Sequence, residues 1–254
     1  MNPILRHIGT GLARFLARRR HLHTPSPPTP QHQLLANLEP GDVLLVEGDT
    51  RIAVAIKYLT QSTWSHAALY VGPDGHGFAD PRHCFVEADL IDGVRSVGLD
   101  EFAGLHTRIC RPIGLRAEER RALIAYAVGR LGAQYDLRNV FDLARYLLPT
   151  PPVPTRLRRR MIALGSGDPT RAICSTLIAQ AFEFINYPVL PTVEYRPAPT
   201  RDCPACLAEV LHIRHHSLYT PRDFDVSPFF QIVKPQIESG FDFRTLQWDR
   251  AAAA

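Results

Sequence analysis

Apolar positions recur along this chain with two different periods, and the changes of period mark out its elements. Leu5, Ile8, Leu12, Phe15 and Leu16 fall at helical spacing with arginines mostly between them, which predicts a basic amphipathic helix over about residues 3–20. Thr24-Pro-Ser-Pro-Pro-Thr-Pro30 cannot continue a helix and reads as a semi-rigid spacer. The folded domain is expected to begin near Gln33. A turn at Glu39-Pro-Gly-Asp42 leads into a short apolar strand, Val43-Leu-Leu-Val46, and Ile52, Ala55, Ile56 and Leu59 carry a helix over 51–59. Ser65 to Val71 reads as a buried strand with His66 near its start. A hairpin signal at Gly72-Pro-Asp-Gly75 precedes the returning strand Cys84-Phe-Val-Glu-Ala88, and Asp92-Gly93 turns the chain into Val94–Leu99. His106–Arg111 is one more strand, so the middle of the chain forms a small antiparallel sheet.

Helical spacing then returns. Ala117–Leu131 opens with Glu118 and Glu119 and ends at Gly132, and Asn139–Leu148 is stopped by Pro149, Pro151, Pro152 and Pro154. Leu177, Ile178, Ala181 and Phe182 place a third helix over Cys174–Ile185, with Cys174 at or near its start. The remainder is loop-rich up to a closing strand, Phe229–Val233. The order is α+β: a helix, a block of strands, then helices. Three segments result: 1–32, the basic helix and Pro-rich linker; 33–237, the domain; and 238–254, a C-terminal tail.

Composition changes this picture in two places. A net charge of +4 suggests nucleic acid or membrane. The surplus, however, lies in five arginines within residues 1–32, where no acid occurs, and the rest of the chain is nearly neutral. Nucleic acid is therefore not expected as a partner; Arg156, Arg158, Arg159 and Arg160 lack interleaved aromatics and read as a solvated loop. Residues 1–23 suit an anionic membrane surface, with Leu and Phe in the interface and arginines on headgroups, or else a helix docked on the domain. They contain no apolar core of a secretory signal, and no run of apolar residues is long enough to span a bilayer. The five cysteines, Cys84, Cys110, Cys174, Cys203 and Cys206, are an odd set at irregular spacing. Reduced thiols are expected, and with them a cytoplasmic location, peripheral at the inner face of the membrane if the arm is an anchor.

Three polar residues stand where apolar ones are expected. A cysteine at a helix start meets the positive end of the macrodipole, which favours the nucleophilic thiolate. His66 lies in Trp64-Ser-His-Ala-Ala-Leu-Tyr-Val71 and Glu87 in Phe85-Val-Glu-Ala88, both costly places for a polar group without a partner. A nucleophile needs a base within reach and a third group to orient the base, so Cys174, His66 and Glu87 form one constellation.

These pieces resemble the circularly permuted, papain-like NlpC-type cysteine hydrolases of the YiiX/YebB-like kind. Pro40-Gly-Asp42, Ser62–Val71, Phe85–Ala88, Gly132-Ala-Gln-Tyr-Asp136 and Ile173–Ile178 occur in that family's order, with the histidine before the nucleophile. The resemblance implies a small antiparallel sheet or barrel packed against helices. It implies Cys174 as nucleophile, His66 as general base, Glu87 as the residue orienting the imidazole, and the Cys174 backbone N–H as oxyanion donor. Tyr219 is similar to a pocket-lining tyrosine of some relatives, or else is a packed loop tyrosine; Tyr219, Ser65 and Trp64 are the residues expected to meet substrate. Tyr135 and Asp136 are expected to support the nucleophile helix. The resemblance implies hydrolysis of amide bonds in peptide, isopeptide or peptidoglycan-like substrates without a cofactor. Two alternatives stand beside it: a lipid-directed thiol acyl hydrolase or acyltransferase on an acyl-lipid substrate, and a non-catalytic, membrane-attached binding module. No metal site is expected. Cys203-Pro-Ala-Cys206 with His212, His215 and His216 has zinc-like ligand types, but its second pair is crowded for a finger.

Overall fold

A computed structural model describes residues 11, 14–18, 28–73, 76–134, 173–199, 201–203 and 205–245. A short helix α1 (Gln31–Asn37) leads into β1 (Val43–Glu47), helix α2 (Arg51–Thr60), β2 (His66–Tyr70), β3 (His83–Asp89) and β4 (Gly93–Gly98). A 3-10 turn (Leu99–Phe102), β5 (His106–Pro112) and helix α3 (Ala117–Val128) complete the first half. After residue 172 come helix α4 (Ile173–Phe184), β6 (Thr192–Pro197), β7 (Leu207–His212), helix α5 (Pro221–Asp225), β8 (Phe230–Val233) and helix α6 (Pro235–Glu238). The expected helix over Asn139–Leu148, the arginine cluster at 156–160, and Tyr135 and Asp136 lie outside the described residues.

Six strands form one antiparallel sheet in the order β4-β3-β2-β1-β5-β8. Both of its faces are covered, which explains why β1 and β2 read as unbroken apolar runs. Val43, Leu45, Ala67, Leu69, Val86 and Ala88 face α3 and α4 through Leu123, Ala127, Leu177, Ile178 and Phe182. Leu44, Val46, Ala68, Tyr70, Phe85 and Ile109 pack the other face with Leu34, Leu38 and Phe102. A one-residue slip would exchange the two sets, so the register Val43↔Leu69 and Val43↔Cys110 is strongly held. Burial of about 1.5–3 kcal/mol per large apolar side chain is what offsets the cost of ordering these strands.

Polar groups close the joints. Thr50 caps α2 through Oγ1, which accepts the Ala53 amide at 3.2 Å, and Gln61 ends that helix in the left-handed region at φ 50°. Buried Asp42 receives a two-pronged bond from Arg111, Nε to Oδ1 at 3.0 Å and Nη2 to Oδ2 at 2.8 Å, fastening the entry of β1 to β5. Gly93 has φ +75°, and a Cβ there would sit 2.4 Å from the Ala133 carbonyl oxygen. Only glycine lets the β3–β4 turn meet the end of α3, where Val94 N–H donates to Ala133 and Gly132 N–H to Val94.

Two sequence expectations change here, and residues 14–18 follow one of the two alternatives given for the N-terminal segment. The stretch 188–216 is not merely loop: β6 and β7 form a separate two-stranded hairpin, exposed on both faces. Cys203 and Cys206 are joined as a disulfide at its closed end, so the expectation of five reduced thiols fails there, while Cys84, Cys110 and Cys174 are free thiols. In the N-terminal segment, Leu16 is fully buried, Arg51 lies 3.9 Å above the Phe15 ring, and the Arg51 amide donates to the Arg18 carbonyl at 3.3 Å. Residues 14–18 thus dock at the start of α2. Among the described residues no helix is long and apolar enough to cross a membrane.

Candidate active site

His66 opens β2, Glu87 lies on neighbouring β3 in register with Ala68, and Arg95 lies directly opposite Glu87 on β4. The His66 Nε2–H donates to Glu87 Oε2 at 2.7 Å. Cys174 is the second residue of α4, a twelve-residue helix whose apolar face, Leu177, Ile178, Ala181 and Phe182, is held against the sheet. This packing brings the first turn of α4 over β2 and β3, and the Cys174 thiol comes within interaction range of the His66 imidazole. With Nε2 taken by Glu87, Nδ1 is the ring nitrogen left for the sulfur. The structure therefore brings Cys174, His66 and Glu87 together from residues 108 positions apart in sequence at the extremes.

Charge decides the state of this chain of groups. Burial works against a charged His66, but the Glu87 carboxylate and then the Cys174 thiol outweigh it and hold the imidazole well above its ordinary value of 6.5. Burial likewise works against an ionised Glu87, and His66 followed by Arg95 reverses that, leaving its carboxyl below the ordinary 4.5. The site thus sets a protonated imidazole between a buried carboxylate and the thiol of α4.

Both shifts bear on stability with opposite pH dependence. A raised histidine contributes fully below 6.5 and is lost as pH rises through its folded value; a lowered glutamate contributes fully above 4.5 and is lost as pH falls through its own. The thermal midpoint of wild type relative to His66→Ala is expected to differ most between pH 4.5 and 6.5 and to converge on either side. A constant difference from pH 3 to 9, by roughly the span in which carboxylates and imidazoles titrate, would show that the pair is not charged in the native state.

The residues expected to meet substrate are placed differently. Trp64, Ser65 and Tyr219 are all buried, at 2%, 3% and 3% exposure. Trp64 donates from Nε1 to Asp225 Oδ2 at 3.0 Å, and Ser65 Oγ accepts the Gly48 amide at 2.9 Å. The Tyr219 carbonyl accepts from Ser175 Oγ at 2.7 Å, which ties the first turn of α4 to the chain preceding α5. The partners named for all three lie inside the domain, so each braces the site's surroundings from within. The zinc alternative also loses its ligands: the two sulfurs bind each other, His212 bonds Glu194 at 2.7 Å, and His216 bonds Glu183 at 3.0 Å. No cluster of three or more metal-ligating side chains occurs among the described residues.

Residues 37–146 match the family of permuted papain-like amidase enzymes, YaeF/YiiX, C92. The matched segment holds β1 to β5 with His66, Glu87 and Arg95, while Cys174 lies beyond its end. At the level of that family the match is to hydrolases. The chain is also similar to the solved crystal structure of the metalloprotein yiiX from Escherichia coli O157:H7, at 15% sequence identity and a TM-score of 0.45, over 77% of this chain and 96% of that one. No curated protein matches the sequence.

Among the described residues, Arg95 is a polar neighbour of the site that the sequence pattern does not single out. It looked like an ordinary polar strand position, since only the cross-strand register Glu87↔Arg95 reveals what it faces.

Proposed function

We propose that this protein is a cysteine amidase or peptidase that works through an acyl-enzyme. The observation that carries this reading is the continuous chain Cys174–His66–Glu87, in which a half-open imidazole lies between a helix-start thiol and a buried carboxylate. The Cys174 thiolate attacks an amide carbonyl and forms a C–S bond. As the tetrahedral adduct collapses, the C–N bond breaks and His66 passes its proton from Nδ1 to the departing amine. Water, deprotonated by the then neutral His66, attacks the thioester and releases the acid and the free thiol. We assign the oxyanion of each adduct to the Cys174 backbone N–H, at the second residue of α4. Glu87 keeps His66 turned toward the sulfur and stabilises its charged form.

Alkylation by iodoacetamide tests this directly. All three free thiols are buried, but Cys174 is expected to react selectively because it faces the His66 imidazole, whereas burial pushes the thiols of Cys84 and Cys110 up, to about 11 for Cys84. Reaction at pH 6 is expected to fall at least about tenfold in His66→Ala, since the thiolate then loses its counter-ion. Equal labelling of the three thiols, or labelling indifferent to His66, overturns the proposal. Turnover of a muropeptide or isopeptide against transfer of an acyl chain from a lipid then separates amide from acyl-lipid chemistry.

A further inference from the structure

The two oxygens of Glu87 are held by different groups. Oε2 accepts from His66 Nε2 at 2.7 Å, while Oε1 accepts from Arg95 Nε at 2.9 Å and lies 2.8 Å from Arg95 Nη2. Arg95 is itself fixed on its outer side, Nη2 to Glu101 Oε1 at 2.8 Å and Nη1 to Asp92 Oδ2 at 3.5 Å. A carboxylate with 3% of its side chain exposed and only one partner would be free to turn about its last torsion and would bear most of its desolvation cost. The guanidinium removes both freedoms, because it sits straight across the β3–β4 ladder and grips the oxygen that His66 does not use.

We propose that Arg95 is a positioning residue of the site: by gripping Oε1 it fixes the plane of the Glu87 carboxylate, so that Oε2 holds the His66 ring with Nδ1 toward Cys174. This rests on the thiol–imidazole reading above. Charge follows geometry. The groups that face Glu87 and its clamp are His66 from β2, Arg95 from β4, Cys174 from α4 beyond the imidazole, Asp89 at the end of β3, Asp92 in the turn and Glu101 on the 3-10 turn. Of these, Arg95 is the permanent cation. Without it, the titrating imidazole is the only cation left to oppose the charge of the buried Glu87, which takes up a proton at higher pH.

The pH dependence of Cys174 alkylation in the full chain tests the assignment. In Arg95→Gln the acidic limb of the rate profile is expected to move up by about one pH unit, and the plateau to fall about tenfold, as is usual when a group that orients a functional imidazole is lost. Arg95→Lys is expected to return the limb to its wild-type position, since the charge is restored. Its plateau recovers only in part, because an ammonium cannot bridge Glu87 and Glu101 as the planar fork does. In a Glu87→Gln background, Arg95→Gln is expected to cost nothing further, since its effect passes through Glu87. Thermal midpoints measured alongside separate this from a purely structural role, which would lower the midpoint without moving the limb and would add to Glu87→Gln. An unmoved limb in Arg95→Gln, or additive losses in the double variant, overturns the assignment. Should Arg95→Gln not fold, a limb displaced by about one pH unit in Arg95→Lys overturns it instead. If wild-type alkylation proves indifferent to His66→Ala, the thiol–imidazole reading fails first and the positioning role falls with it, a result distinct from each of these.

Discussion

Glu87→Gln is expected to lower kcat for amide hydrolysis by about 10³- to 10⁴-fold, the cost of presenting an imidazole in the wrong tautomer. The change conserves size, and an amide oxygen can orient a histidine, so the size of the effect depends on the neighbour. Arg95 has no acceptor capacity and needs an oxygen in front of Nε. The single oxygen of a glutamine is therefore drawn to Arg95, and the amide NH₂ is turned toward His66 Nε2. That nitrogen must then accept, the proton moves to Nδ1, and the ring can no longer take the thiol proton of Cys174. Steady-state kinetics on whichever amide substrate the labelling-active protein cleaves would measure this, with Cys174→Ala as the zero. A Glu87→Gln protein within tenfold of wild type would show that His66 is oriented by something other than this carboxylate. Partial return of turnover in Glu87→Gln with Arg95→Gln would identify the arginine as the cause, since the amide is then released to present its oxygen to the ring.

Much of this geometry is legible in the chain. A strand covered on both faces leaves little room for polar residues, so His66 within Trp64–Val71 and Glu87 within Phe85–Ala88 stand out as groups that must be paired. Cys174 is recognisable at a helix start because Leu177, Ile178, Ala181 and Phe182 repeat at helical spacing behind it. What is not legible depends on facts that no local pattern holds. Trp64 and Tyr219 have the composition of a substrate wall, and only their three-dimensional surroundings show them to be interior supports. Arg95 has no local signature, since its role arises from a register three strands wide: β2, β3 and β4. The β6–β7 hairpin escapes for a different reason. Val193, Glu194, Tyr195 and Arg196 do alternate, but both faces are exposed, so no apolar run builds up, and Pro197 and the Cys203–Cys206 closure read as loop. Helix α1 buries only Leu34 and is too short to display a period.

The largest loss of stability is expected from Phe182→Ala, at about 3–5 kcal/mol. Phe182 is fully buried on α4, and its ring touches three others: Tyr187 with centroids at 5.4 Å, Phe230 at 5.2 Å edge-on, and Phe224 at 6.3 Å. These neighbours come from three separate pieces of chain: the turn after α4, β8 and α5. They are tied further by the Tyr187 hydroxyl, which donates to the Phe229 carbonyl at 2.6 Å. A hole left there is lined by rigid rings that cannot close in upon it, which puts the cost at the upper part of the range for large-to-small changes. Against a typical total of about 5–15 kcal/mol, such a loss brings the protein near its threshold of stability. Phe184, two residues on, supplies the control: it is 59% exposed and stacks only at the surface with Tyr126, so Phe184→Ala is expected to cost under about 1 kcal/mol. Chemical denaturation would show the Phe182→Ala midpoint displaced at unchanged slope, and a displacement no larger than that of Phe184→Ala would refute the packing described. The same measurement reaches the site. Phe182 is the residue by which the C-terminal half of α4 is anchored, and Ser175, bonded to the Tyr219 carbonyl, anchors the other end. Loosening the aromatic anchor lets the helix shift relative to β2 and β3, so folded Phe182→Ala is expected to show slower, His66-dependent alkylation of Cys174, the thiol having lost its fixed approach to the imidazole.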